Sequence, residues 1–343
     1  MAAVASARPH GPPLDPGTVR PTVAVLPDVL PTDRLHANGK PMPPVRDHLR
    51  RIHNGRNVVN VLGVWLQSFG VVWLALRIAN PLGYVVAFAL MGRAFALYSI
   101  LAHEAAHKLL FTNKRLNDWI GRWCIAYPAF VPLDLYRRSH FAHHREEFGP
   151  NEPDLNLYVG YPVTRSSLRR KLIRDARGSS GWKNLRALLL AFRSKGSRPI
   201  AMRILAGQAM VLVALALVAV GAGSAWWMGL LLYPVLWLAP WMTAWRVINR
   251  LRAIAEHGGM MQSPDRRLTT HVVHQSLLAR FWMVPYNTGW HLAHHVDMGV
   301  PFQNLPALHR ELVESGWVTE RLEYPSYVAL WRALSSRPEG ATG

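Results

Sequence analysis

Cysteine is nearly absent from this chain, and acid is scarce beside base. Of 343 residues one is cysteine, Cys124, so no intramolecular disulfide can form and no metal centre can rest on paired thiolates. A reducing, cytoplasm-facing site is the expectation. Residues 1–44 contain no apolar run of the kind that opens a secretory signal, which leaves the first apolar helix to act as its own insertion signal. Asp and Glu number 20 against 39 Lys and Arg, a formal charge of +19. In a soluble protein that excess would point to nucleic acid. Here no nucleic-acid-binding motif is present and the basic residues flank long apolar stretches, so nucleic acid is not an expected partner. Anionic lipid headgroups and an acidic electron-transfer protein are the expected counter-charges.

Half of the residues are hydrophobic, and they gather into four runs at about 58–78, 82–101, 204–220 and 226–248. Each is long enough, at roughly 20 residues, to cross a hydrocarbon core of about 30 Å as a helix. Asn80-Pro81-Leu82-Gly83 and Gly221-Ala222-Gly223-Ser224 turn the chain between the paired runs. Arg93 lies inside the second run and should face the bundle interior or a partner. Trp119 to Leu133 is apolar but short and interrupted by Pro128 and Pro132, so a helix lying in the membrane interface is expected. Trp182 to Phe192 and Leu277 to Pro285 read the same way. Lys and Arg concentrate in the N-terminal region, in 104–203 and towards the C-terminus, which puts both termini and the long loop on the cytoplasmic side. Proline-rich residues 1–44 are expected to be a disordered arm and 335–343 a disordered tail, flanking one membrane domain over 45–334. The abundance of Ala, Arg, Pro and Gly favours a bacterial plasma membrane.

The chemistry is in the histidines, 16 in all. His140-Phe141-Ala142-His143-His144 and His291-Leu292-Ala293-His294-His295 share one spacing, and His103-Glu104-Ala105-Ala106-His107 is a third cluster. On a helix, positions i, i+3 and i+4 lie on one face, so each cluster aims its imidazoles one way, and all three fall on the same side of the membrane. Eight imidazoles exceed what one zinc takes, three protein ligands in a catalytic site or four in a structural one. They suit two first-row transition ions, and imidazole is a good ligand for iron. His271 and His274, His309, His48, His53, His36 and His10 fit no such cluster and are expected to be inert.

In order and spacing these clusters, with a late Glu256-His257-Gly258-Gly259, resemble the membrane fatty acid desaturase superfamily over roughly residues 45–330. The resemblance implies an all-α integral membrane fold, four transmembrane helices under a cytoplasmic helical cap. It implies two non-haem iron ions held by His103, His107, His140, His143, His144, His291, His294 and His295, with His257 as a further ligand after the fourth span. It also implies O2 as co-substrate and a double bond introduced into a fatty acyl chain linked to CoA, a carrier protein or a lipid. A related hydroxylase or ketolase acting on a lipid or carotenoid shares the same clusters. No cytochrome b5-like haem domain is visible, so electrons are expected from a separate ferredoxin or cytochrome b5-like protein. A ligating imidazole needs a partner on its other ring nitrogen; Glu104, Glu146, Glu147, Asp154, Glu256, Asn287 and Asp297 are the candidates. A zinc protease reading of His103-Glu104-Ala105-Ala106-His107 leaves six cluster histidines unused. A transporter would set its ligands at mid-membrane on broken spans, whereas these clusters lie outside the apolar runs.

Overall fold

The computed structural model describes residues 11–340 and divides the chain into two compact units. One comprises Ile52–Phe141 and Arg169–Arg250, the other Met1–Arg51, Ala142–Leu168 and Leu251–Gly343.

The first unit holds the apolar helices. Four helical stretches are long and apolar enough to cross a membrane, Val45–Ile78, Pro81–Ala106, Arg198–Gly221 and Trp226–His257, which include the four expected spans. Along the first, Val61, Val64, Ser68, Val72 and Ala75 are buried at helical spacing. Leu62 and Leu66 on the other side are 57% and 73% exposed. A helix apolar on both its packed and its outer face is what lipid demands. It ends where Ala79 turns left-handed (φ 48°). Asn80 then caps the next helix, its side chain accepting from the Leu82 N–H with Pro81 in the first turn, as an Asn-Pro pair favours.

Small residues set how closely the third and fourth spans approach: a Cβ on Gly229 would lie 2.2 Å from the Leu215 carbonyl oxygen, and this is how membrane helices come close without a hydrophobic drive between them. The fourth is not regular. Trp226–Leu232 gives way to a π-helical turn, Tyr233–Leu238, then Ala239–Met242 and Ala244–His257. Pro234 and Pro240 lack the N–H that an α-helix needs, and the wide turn absorbs the defect. Arg93 donates to the Gln67 amide oxygen, the partner its position calls for.

The segment expected to lie in the interface does something else. After the helix Lys114–Ile120 comes a π-helical Gly121–Ala126, and Ile125, Ala126, Tyr127 and Ala129 are all at most 3% exposed. Gln208 donates to the Tyr127 and Pro128 carbonyls at 2.7 and 3.1 Å, Trp237 to Pro128 at 3.1 Å and Trp65 to Cys124 at 2.8 Å. The carbonyls freed by Pro128 and the irregular turn are thus satisfied from the spans, and the segment packs into the bundle. By contrast Trp182, Leu189 and Leu190 on the helix Ser179–Ala191 point outward at 54%, 52% and 43% exposure, as a surface-lying helix should.

The second unit has its own core of Val19, Tyr161, Ile254, Val284, Tyr324, Leu330 and their neighbours. A two-residue parallel pairing joins Val272–Val273 to Glu323–Tyr324. Residues 11–44 differ from the expected disordered arm. Val19, Val25 and Leu35 are at most 3% exposed, Arg34 makes a two-pronged pair with Glu311 at 2.6 and 2.7 Å, and the Pro27 carbonyl accepts from Arg267. Scattered apolar residues between prolines find a core that average composition does not reveal. At the other end Glu339 accepts from the Ser166 N–H and hydroxyl, so the expected disordered tail is seated as far as residue 340; His10 and residues 341–343 lie outside the described residues.

Candidate metal centre

Three cluster histidines belong to the spanning unit. The second span carries His103 and His107 at its end, and the helix Leu133–Arg145 carries His140. Arg137, one turn before His140, donates to the Ala105 and Ala106 carbonyls at 2.9 and 2.8 Å, and Asn117 donates to Ala105 at 3.0 Å. Those carbonyls have lost their intrahelical partners, so capping the helix also sets the distance between the two clusters. The His140 and His107 Nε2 atoms stand 2.9 Å apart, and the ring nitrogens of His103, His107 and His140 all lie within 4.8 Å of one another.

Six more belong to the second unit. His143 and His144 end the helix Leu133–Arg145, His257 ends Ala244–His257, and His291, His294 and His295 form the short helix His291–Val296. All six are buried, at most 7% exposed. Their Nε2 atoms meet in pairs at 3.0 Å: His144 with His294, His257 with His291, and His295 with His291. Nitrogens bound to one ion at about 2.0–2.1 Å are separated by roughly 3 Å.

The outer nitrogens are held as a ligating imidazole requires. His295 Nδ1 faces Glu147 at 2.5 Å, and Arg266 pairs with that same carboxylate at 2.5 Å. His257 Nδ1 donates to the Thr269 carbonyl at 2.8 Å. His291 Nδ1 lies 3.6 Å from Glu256, which also accepts from Arg252 at 2.6 Å. His143 Nδ1 bonds Glu152, and Tyr158 donates to the same carboxylate. Burial first, and then neighbouring imidazoles, push His295 well below the ordinary imidazole range, so the ring stays neutral, the form a metal takes. Burial pushes Glu147 up, against Arg266. With no cysteine near and imidazoles converging on Nε2, the donor set fits ferrous iron.

Of the candidate partners, Glu147 and Glu256 stand against cluster rings. Asp297 instead pairs with Arg50 at 2.8 Å and accepts from the Gly299 N–H, tying the N-terminal region to the third cluster's helix. Glu146 sits beside Arg145. Asn287 takes a left-handed conformation (φ 65°) and its carbonyl accepts from Trp290, a turn that delivers His291. Glu104 is buried at 2% exposure beside His103. Asp154 precedes the short helix Leu155–Tyr158, and burial pushes its carboxyl up. Sequence reasoning missed Glu152, Tyr158 and Thr269. His271 is structural: its Nε2–H donates to the Gly258 carbonyl at 2.8 Å, and burial lowers its pKa to about 4. Glu152→Gln keeps an acceptor but removes the charge, and is expected to lower iron affinity or turnover about 10–100-fold, read by metal titration of the purified chain.

Within the spanning unit a cavity of about 770 Å³ opens beside the first of these histidine sets, lined by Phe130, Leu135, Tyr136, Leu188, Ile204 and Trp245 among others. The Tyr136 ring is stacked on that of His140, 5.4 Å between centroids.

Helices long and apolar enough to cross a membrane, and buried imidazoles grouped so that they could hold metal, define the class. The sequence profile of the family described as fatty acid desaturase matches residues 79–327, and the chain belongs to that family. It is 26% identical over 228 residues to a dihydrorhizobitoxine desaturase of Bradyrhizobium elkanii, covering 64% of each chain. To a chloroplastic omega-6 fatty acid desaturase of Spinacia oleracea it is 23% identical over 242 residues, 67% of this chain and 53% of that one. An sn-1 oleoyl-lipid 12-desaturase of Arthrospira platensis is 27% identical over 88 residues, 26% and 23% of the two chains. The matches thus span from 23% to 64% of these relatives' own length.

Proposed function

We propose that the chain is an O2-dependent desaturase that introduces a double bond into a fatty acyl chain, with two iron ions held by His103, His107, His140, His143, His144, His257, His291, His294 and His295. The observation that carries this reading is the pairing of Nε2 atoms at 2.9–3.0 Å, with the Nδ1 atoms of His257 and His295 facing the Thr269 carbonyl and the Glu147 carboxylate. The iron pair would supply the redox chemistry: two hydrogens, with two electrons, leave neighbouring methylenes of the acyl substrate, and O2 is reduced to two waters with these, two electrons from a donor and two further protons.

The chain's own residues hold and orient. Glu147, Glu152, Glu256 and the Thr269 carbonyl fix which imidazole nitrogen faces inward. Because the rings are buried, bulk water is kept from the site. The cavity beside His140 would hold the acyl chain so that two particular carbons come within reach, which is most of what a protein contributes when its metal does the chemistry. The electron donor in this reading is a separate ferredoxin or cytochrome b5-like protein. The site faces the cytoplasm, by the distribution of Lys and Arg, at a bacterial plasma membrane.

Expression in a host unable to make unsaturated lipids tests the reading. New double bonds in its fatty acids by mass spectrometry are the expected outcome. Hydroxylated or keto products instead would transfer the chain to the related hydroxylases and ketolases, and unchanged lipids alongside an iron-loaded, folded protein would sink the acyl substrate.

A further inference from the structure

Two arginines line the cavity in the spanning unit, and one of them, Arg138, is exposed; the other is a more enclosed charge that the walls leave unanswered. Arg246, on the helix Ala244–His257, lines it. Its guanidinium lies 4.3 Å over the Trp241 ring, and its Nε is buried with no hydrogen-bond partner among the described residues. Asp175, the acid whose field reaches Arg246, gives its carboxylate oxygens to Arg250, Ser180 and Arg174. Most of the remaining wall is aliphatic or aromatic. A cation kept in such surroundings without an anion is costly, and the stacking on Trp241 offsets only part of that cost.

Two further features narrow what fits. The volume, about 770 Å³, is in the range of roughly 300–1,000 Å³ typical of small-ligand sites. The wall also includes Tyr136, whose ring is stacked on His140. A largely apolar cavity with the Arg246 guanidinium at one place and the His140 ring behind another suits an amphiphile with one charged head. Guanidinium pairs two-pronged with carboxylate and phosphate alike.

We propose that this cavity takes a single acyl chain whose head carries an anion, a carboxylate or a phosphate ester, bound by Arg246. The proposal rests on the acyl-desaturase reading and adds the charge of the substrate to it: neutral-headed lipids would be poor ligands and anionic ones good.

Native mass spectrometry of the full chain in neutral detergent provides the test, with palmitic acid, lysophosphatidic acid of the same chain and palmityl alcohol as competing probes. The wild-type chain is expected to bind an anionic probe at least tenfold more tightly than the alcohol. Stronger binding of palmitic acid assigns a carboxylate head, and stronger binding of lysophosphatidic acid a phosphate ester. Arg246→Met should hold all three with the affinity of the alcohol, whereas Arg246→Lys should retain a reduced preference. Equal affinity for alcohol and anionic probes in the wild-type chain overturns the proposal, and that comparison needs no variant to fold. So does an undiminished preference in a folded Arg246→Met. Turnover plays no part in this readout, so failure of the desaturase reading would appear separately, as missing double bonds with the preference intact.

Discussion

Replacing His295 by Ala is expected to lower turnover by at least ~10³-fold, equivalent to about 4 kcal/mol in the barrier, and to cut bound iron by half or more. Its ring stands among several others of its unit. Its Nε2 is 3.0 Å from that of His291 and its Nδ1 faces Glu147, while the rings of His143, His144 and His257 lie 4.4–5.1 Å away between centroids. Removing it takes away one donor and also leaves the Glu147–Arg266 pair with nothing to orient. The fold should survive, because the helix His291–Val296 keeps Leu292, Ala293 and Val296 in the core. Metal analysis and thermal melting on one preparation separate the two effects: iron lost with the melting temperature nearly unchanged is the expected pattern. A variant that retains both iron ions and full turnover would remove His295 from the proposed ligands.

Stripping the metal is expected to abolish double-bond formation, by more than ~100-fold, and only a redox-active ion should restore it. Ferrous iron added back under reducing conditions should return activity. Zinc accepts imidazole donors at similar distances and should occupy the site, yet it has no redox chemistry to offer and should give no product. Binding and turnover therefore have to be measured together. A zinc-loaded chain that desaturates would refute the iron assignment, whereas zinc bound without product supports it.

The histidine clusters were legible because their spacing is a helix period, and a helix converts that spacing into a shared direction whatever the rest of the chain does. The spans were legible for a related reason, since length and apolarity alone decide them. What holds the outer nitrogens was less so. Thr269 acts through its backbone carbonyl, a group every residue possesses, so its identity carries no signal. Glu152 reaches His143 only because the chain turns through residues 146–152. Asp297 lies two residues beyond His295, yet its carboxylate goes to Arg50, a partner that local pattern could not supply. The stretch 119–133 was misread because its prolines argue against a span, while the donors that let it pack, Gln208 and Trp237, lie some 80 to 110 residues later. In residues 11–44 the composition argued for disorder, and three well-spaced apolar side chains overruled it.

The wide turn at Tyr233–Leu238 has a further effect on the groove. An additional residue in one winding rotates everything after it by about 100° around the axis. Trp241, Trp245 and Arg246 line the cavity under that offset. Deleting a single residue from 233–238 would wind the helix back, bringing Met242, Arg246 and Val247 to the places those three now hold. The positive charge would then sit where an indole had been, and the head of a bound chain would find a valine. A defect introduced around Pro234 thus works as a clocking device, setting which side chains a ligand meets several turns away.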